Sequence, residues 1–196
     1  WGSEMCIRDR YNLCSVSFNP DTRSFGIEVD TLYNVDTGGK SISFPRVSPD
    51  GRYLLCTLSG YGNFSIWHKD ADLYLFDLQK KESRLLDEVN SDDVESYHSW
   101  SSNSRWFVFS SRRIDGLYTR PYFAYVNEEG KAGKPFLLPQ KDPDYYSLSM
   151  KSYNIPEFIK DKVKVRERIL SLKAKEDKGI AVSYTHLRAH ETDSYL

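Results

Sequence analysis

A stretch of this chain returns 53 residues later in altered dress. Val47-Ser48-Pro49-Asp50-Gly51-Arg52-Tyr53-Leu54-Leu55-Cys56-Thr57 lands on Trp100-Ser101-Ser102-Asn103-Ser104-Arg105-Trp106-Phe107-Val108-Phe109-Ser110. Ser48 and Ser101 keep one place, and Arg52 and Arg105 keep another. The turn stays polar and the following run stays apolar. In the first copy, Pro49 presets φ, Asp50 can bond its own backbone, and Gly51 tolerates positive φ. Such a turn between two β-prone runs is a hairpin. A structural unit repeated at a fixed offset restricts the fold more than composition does.

The strands around each copy extend the pattern. Ile42 to Val47 precedes the first turn, and Tyr53 to Thr57 follows it. Asp72 to Leu78 (DLYLFDL) alternates imperfectly, as a strand covered on both faces does. Gln79 to Glu82 is a polar turn, and Ser83 to Leu86 is a short strand. Downstream of the second copy, Pro121 to Val126 answers Asp72 to Leu78, and Pro135 to Leu138 answers Ser83 to Leu86. Near the start, Leu13 to Phe18, Asn19-Pro20-Asp21 and Phe25 to Leu32 make a further strand, turn and strand. Four short antiparallel strands repeated about every 40–50 residues read as β-propeller blades, which need neighbours on both faces.

These stretches carry a resemblance to a known family. FPRVSPDGRYLLCT with ADLYLFDL, and YHSWSSNSRWFVFSS with RPYFAYV, resemble the WD-like repeats of TolB-type propellers. The resemblance covers roughly Tyr11 to Gln140. The second copy departs from the pattern, because its turn lacks Pro and Gly. The fold class expected is all-β: a fragment of about two to two and a half four-stranded propeller blades, with a C-terminal α-helix. The helix is expected from about Pro156 to Lys175, with Asn154 and Glu157 as a capping box. The family implies a six-bladed ring or a relative of it, so this chain is expected to be part of one.

The two ends read differently. Gly2 to Asp9 is GSEMCIRD and Val182 to Ala189 is VSYTHLRA. One coding strand for the first is GGC TCG GAG ATG TGT ATA AGA GAC; its reverse complement encodes the second. Antisense complementarity points to an inverted DNA repeat, and the segments resemble translated transposase-adapter sequence. Residues 1–10 and 182–196 are therefore expected to be non-native. Blades are expected over 11–140, and a loop plus the helix over 141–181.

Charge and composition exclude several classes. Lys+Arg 27 against Asp+Glu 28 leaves a net charge of −1, which gives no chain-wide footprint for nucleic acid. No apolar run approaches the roughly 20 residues of a membrane helix. Three cysteines do not make a disulfide framework. Cys14 and Cys56 are expected as small buried thiols. His68 and His98 lack companions at metal-ligand spacing, so no metal, cofactor or catalytic set is expected. A structural hydrogen bond is the expected role of His98. Asp92, Asp93 and Glu95 are expected in a solvated loop. Arg112, Arg113 and Asp115-Gly116 mark a strand-end turn, where ordinary charge pairs are expected and anion binding is the alternative.

The candidate contact residues lie in the Leu58 to Ala71 loop, longer than the roughly 2–5 residues of ordinary hairpin connections. Tyr61, Phe64, Trp67 and His68 suit stacking on a sugar ring or a peptide side chain. The competing reading has these aromatics tucked against the next blade. Ser48, Pro49, Asp50, Gly51, Arg52, Ser101, Asn103 and Arg105 are expected to be structural residues of the repeated turn. The resemblance implies a binding or scaffold role in the bacterial envelope, typically the periplasm, with a protein or glycan partner. The alternative it leaves open is the propeller domain of an enzyme, of the prolyl oligopeptidase type or carbohydrate-active, whose catalytic part lies elsewhere.

Overall fold

The computed structural model describes residues 9–62, 64–162 and 164–176. All of VSYTHLRA, and all of GSEMCIRD except Asp9, lie outside the described residues. Two compact units divide the chain, one up to Phe158 and the other from Ile159.

The first unit is built from antiparallel strands. β1 (Leu13–Asn19) and β2 (Ser24–Tyr33) form a two-stranded hairpin. A single-turn helix, α1 (Val35–Gly38), follows; the Asn34 side chain accepts the Asp36 N–H at its start. β3 (Ser41–Val47), β4 (Tyr53–Ser59), β5 (Asp72–Asp77) and β6 (Glu82–Leu85) then make a four-stranded meander, each strand paired with the next. β7 (Glu95–Trp100), β8 (Trp106–Ser111), β9 (Arg120–Tyr125) and β10 (Phe136–Leu137) make a second, in the same order. These two sheets and the hairpin are the expected blades and half-blade.

The repeated turn is duplicated bond for bond. In the first sheet Ser48 Oγ donates to Asp50 Oδ1 (2.5 Å) and accepts the Tyr53 N–H (2.9 Å). Asp50 Oδ1 also accepts the Arg52 N–H (3.1 Å). In the second, Ser101 Oγ donates to Asn103 Oδ1 (2.6 Å) and accepts the Trp106 N–H (3.1 Å), and Asn103 Oδ1 accepts the Arg105 N–H (3.1 Å). Gly51 is left-handed at φ 74°, and Ser104 takes its place at φ 58°. The serine meets a backbone demand that glycine meets without steric cost. Its hydroxyl, however, accepts the Asp50 N–H at 3.0 Å and so ties one turn to the other.

β4 shows how a central strand serves two neighbours. Tyr53 and Leu55 point one way and pack with Phe107, Phe109, Tyr122 and Ala124 of the second sheet. Leu54, Cys56 and Leu58 point the other way, joined by Ile42, Phe76 and, from the hairpin, Leu13 and Tyr33. This is the period-2 geometry of a strand covered on both faces. Polar bonds cross the sheets too. His98 Nε2 meets the Leu55 carbonyl oxygen at 2.8 Å, the structural role expected of it. Arg52 Nη1 donates to the Glu128 carbonyl (2.7 Å) and Trp100 Nε1 to that of Arg46 (2.9 Å).

A second internal repeat was hidden in the sequence. β3 and β7 each lose register to a bulge, between Ser43 and Arg46 and between Ser96 and Ser99. Phe44 and Tyr97, again 53 residues apart, sit there at φ 51° each. Their rings meet edge to face at 4.9 Å.

Three expectations need correction. The C-terminal helix exists, but as Glu167–Glu176 (α3, after the single-turn α2, Tyr145–Leu148), within the second unit. The expected capping residue Asn154 is engaged elsewhere: its Oδ1 accepts Thr119 Oγ1 (3.1 Å) and its carbonyl accepts Ser110 Oγ (2.8 Å). The carboxylates near residue 93 are not all solvated. Glu95 is fully buried, receiving Ser91, Ser111 and Arg113. Cys56 is a buried thiol, pushed up to about 12 by burial, whereas Cys14 is exposed.

Candidate functional site

Antiparallel alternation sorts the connections by end. The repeated turns and the β5–β6 and β9–β10 turns lie at one end of the sheets. The long β4–β5, β6–β7 and β8–β9 connections lie at the other. A cavity of about 300 Å³ opens among these long connections.

The β4–β5 connection supplies Phe64, Ile66 and Trp67, on a short 3-10 turn, Ser65–Trp67. That turn is anchored from below: Ser65 Oγ bonds Ser96 Oγ (2.8 Å), which bonds Thr57 Oγ1 (3.3 Å), and all three residues are fully buried. The anchor leaves the aromatics outside. Phe64 is 73% exposed and Trp67 is 67% exposed. Phe64 is also left-handed (φ 50°), a costly conformation for a bulky residue and one that concentrates at binding sites. Tyr61 and His68 belong to the same loop but pack on each other, ring centroids 3.9 Å apart, and His68 is buried. The structure thus brings Phe64 and Trp67 to the cavity and packs Tyr61 against His68, their rings tilted by 52°.

The rest of the wall comes from three other places. β7 contributes Tyr97 at its bulge; burial raises its hydroxyl above the usual range. The β8–β9 connection contributes Arg112, Leu117 and Thr119, and the segment after β10 contributes Ser152 and Asn154. That segment is strapped down by the Tyr153 N–H to Thr119 O bond (3.1 Å) and by Ser110 Oγ on Tyr153 O (2.6 Å). Arg112 Cζ lies 5.1 Å from the Trp67 ring centroid, a cation–π contact that braces the exposed indole from behind. Rigid sheets therefore hold loop-borne aromatics around a partly polar hollow, the arrangement expected where loops bind ligands.

A second hollow of about 290 Å³ lies at the opposite end, lined in part by Tyr53, Asp77, Arg84 and Gly130. Two of its charged groups are already engaged: Arg52 holds Asp77 (3.1 Å) and Arg84 Nη2 donates to the Gly130 carbonyl (2.9 Å). It carries no exposed aromatic pair.

Loop length and aromatic content singled out Phe64 and Trp67, which the structure places on the cavity wall. Tyr97 and Asn154 were missed. The signal for Tyr97 was its repeat partner Phe44; Asn154 carried none, since it reaches the site through tertiary contacts. Among the described residues, no helix is long and apolar enough to cross a membrane.

No family model matches the chain, and no curated protein matches it. Solved structures do. The β-propeller domain of the Trilobed protease from Pyrococcus furiosus matches at 16% identity and TM-score 0.39, over 67% of this chain and 36% of that one. TolB from Acinetobacter baumannii matches at 16% and 0.37, over 63% and 30%. Pyrococcus horikoshii acylaminoacyl peptidase matches at 12% and 0.35, over 67% and 26%. The chain spans about a third of the length of these structures or less.

Proposed function

We propose that this chain is a non-enzymatic binding module, a run of propeller blades that engages a protein or glycan partner through the loops at one end of its sheets. The observation that carries this reading is the pair Phe64 and Trp67, both largely exposed at the rim of a 300 Å³ cavity while their own loop is bonded into the sheets beneath. Large aromatics held rigidly in water offer contact area at little entropic cost, which is the chemistry of interface anchors. Tyr61 and His68 take part in this reading as the support behind the rim. Placement in the cell envelope, typically the periplasm, follows from the resemblance of the repeats to TolB-type propellers.

The test is retention. The immobilised full chain and its Phe64→Ala/Trp67→Ala variant are exposed to envelope extract, with Lys80→Ala at the opposite end as control. A protein or glycan retained by the wild type and Lys80→Ala, and lost from the double variant, supports the reading. Retention independent of the aromatic pair contradicts it.

A further inference from the structure

Three arginines crowd the loop end of the second sheet, and two of them have their terminal nitrogens well engaged. Arg113 bonds Ser111 Oγ (3.1 Å), the Val89 carbonyl (2.7 Å) and Glu95 (2.8 Å). Arg120 bonds the carbonyls of Lys151, Tyr146 and Ser149. Arg112 differs. Its side chain is only 9% exposed, yet among the described residues it makes one hydrogen bond, a long one of 3.4 Å from Nη2 to the Trp67 carbonyl. Its Nε, like that of Arg120, is sealed from solvent with no hydrogen-bond partner, but in Arg112 the terminal nitrogens add only that one long bond. The neighbouring Asp93 Oδ1 stands 3.7 Å away and already accepts the Val94 N–H at 2.8 Å. A buried guanidinium with unspent donors is costly unless an acceptor completes its planar fork. This one lines the cavity.

We propose that the cavity binds the free C-terminal carboxylate of a peptide, with Arg112 as its counter-ion; this deepens the binding-module reading and rests on it. A carboxylate matches the guanidinium fork and forms shorter, stronger bonds than Asp93 makes here. One arginine already shadowed by Asp93 suits a monoanion and is too little charge for a phosphate dianion. Asn154 Oδ1 accepts the Thr119 hydroxyl, which leaves its side-chain N–H groups as donors. Among the described residues no Asp or Glu lines the cavity, so a sugar's hydroxyl donors find no carboxylate acceptor from them. Ile66, Leu117 and the rim aromatics instead suit the apolar side chain of a terminal residue. The volume sits at the small end of the roughly 300–1,000 Å³ range of ligand sites, fit for a chain end rather than a long segment.

The full chain is titrated by calorimetry with the tripeptide Gly-Gly-Phe as free acid, the same tripeptide as C-terminal amide, and glucuronate. Fluorescence is followed in parallel, with Trp67→Phe identifying the Trp67 signal. The expected result is saturable binding of the free acid, at least tenfold weaker binding of the amide and of glucuronate, and loss of the acid's advantage in Arg112→Gln with partial rescue in Arg112→Lys. The acid–amide comparison on the unaltered chain stands even where Arg112→Gln is unstable. Equal binding of acid and amide, no binding of the acid at millimolar concentration, or glucuronate matching the peptide acid would each overturn the proposal. Equal binding at the Trp67 site leaves the module reading intact; that reading fails separately if the aromatic double variant retains its partner.

Discussion

Ser104 offers a test in which glycine and alanine pull apart. It occupies a left-handed position (φ 58°) and its hydroxyl accepts the Asp50 N–H from the neighbouring sheet at 3.0 Å. Ser104→Ala loses that bond, worth about 0.5–1.5 kcal/mol, and keeps the left-handed backbone. Ser104→Gly loses the same bond but relieves a conformational cost of roughly 1–2 kcal/mol. The extra unfolded-state freedom of glycine offsets roughly 0.5–1 kcal/mol of this gain. Glycine is therefore expected to be the more stable variant by about 0.5–1 kcal/mol. In urea melts with a slope of about 2 kcal/mol/M, that is a midpoint gap of about 0.3–0.5 M at unchanged slope. Gly51→Ala is the matched control. Nothing lies within 4 Å of an added Cβ there, so its loss of about 1 kcal/mol reports backbone strain alone. A Ser104→Gly variant less stable than Ser104→Ala would refute the reasoning that the two turns share one conformation.

Three further outcomes are expected. Burial lowers His98 to about 4, against the opposing bond from the Leu55 carbonyl, so the unfolded chain takes up the proton first as pH falls. The contribution of neutral His98 is then complete above about pH 6.5 and lost progressively towards pH 4, roughly 3 kcal/mol in all, and His98→Gln should flatten that part of a stability-versus-pH curve. With a thiol-reactive dye, Cys14 should label in the folded chain and Cys56 only on unfolding; equal rates at both would contradict the packing on β4. The β1–β2 hairpin presents Phe25 (71% exposed) and Ile27 (100% exposed), so Phe25→Ser/Ile27→Lys should reduce self-association in light scattering.

Much of the fold was legible because the chain repeats itself. Ser48 with Arg52, and Ser101 with Arg105, located both turns, and the strands on either side fell within a residue or two of their final bounds. The bulges escaped notice because a left-handed Phe44 or Tyr97 leaves no local signal; only the other strand makes the bulge. The helix start was misplaced for a related reason. Asn154 and Glu157 satisfy a local capping rule, but Thr119 and Ser110 claim Asn154 first. At the site, exposed aromatics were readable from loop composition, whereas the state of Arg112 was not. Whether a guanidinium keeps unspent donors depends on Asp93, Trp67 and Val94 together, and no spacing in the sequence encodes that.

The most direct test of the central claim is a photo-crosslinking residue placed at position 67 of the full chain, compared with one at position 80 on the opposite end of the sheets. In envelope extract, position 67 is expected to yield a discrete crosslinked partner, diminished by competing free-acid peptide, while position 80 yields none. Equal crosslinking from both positions, or from neither, would contradict a partner-binding surface at the Trp67 loops.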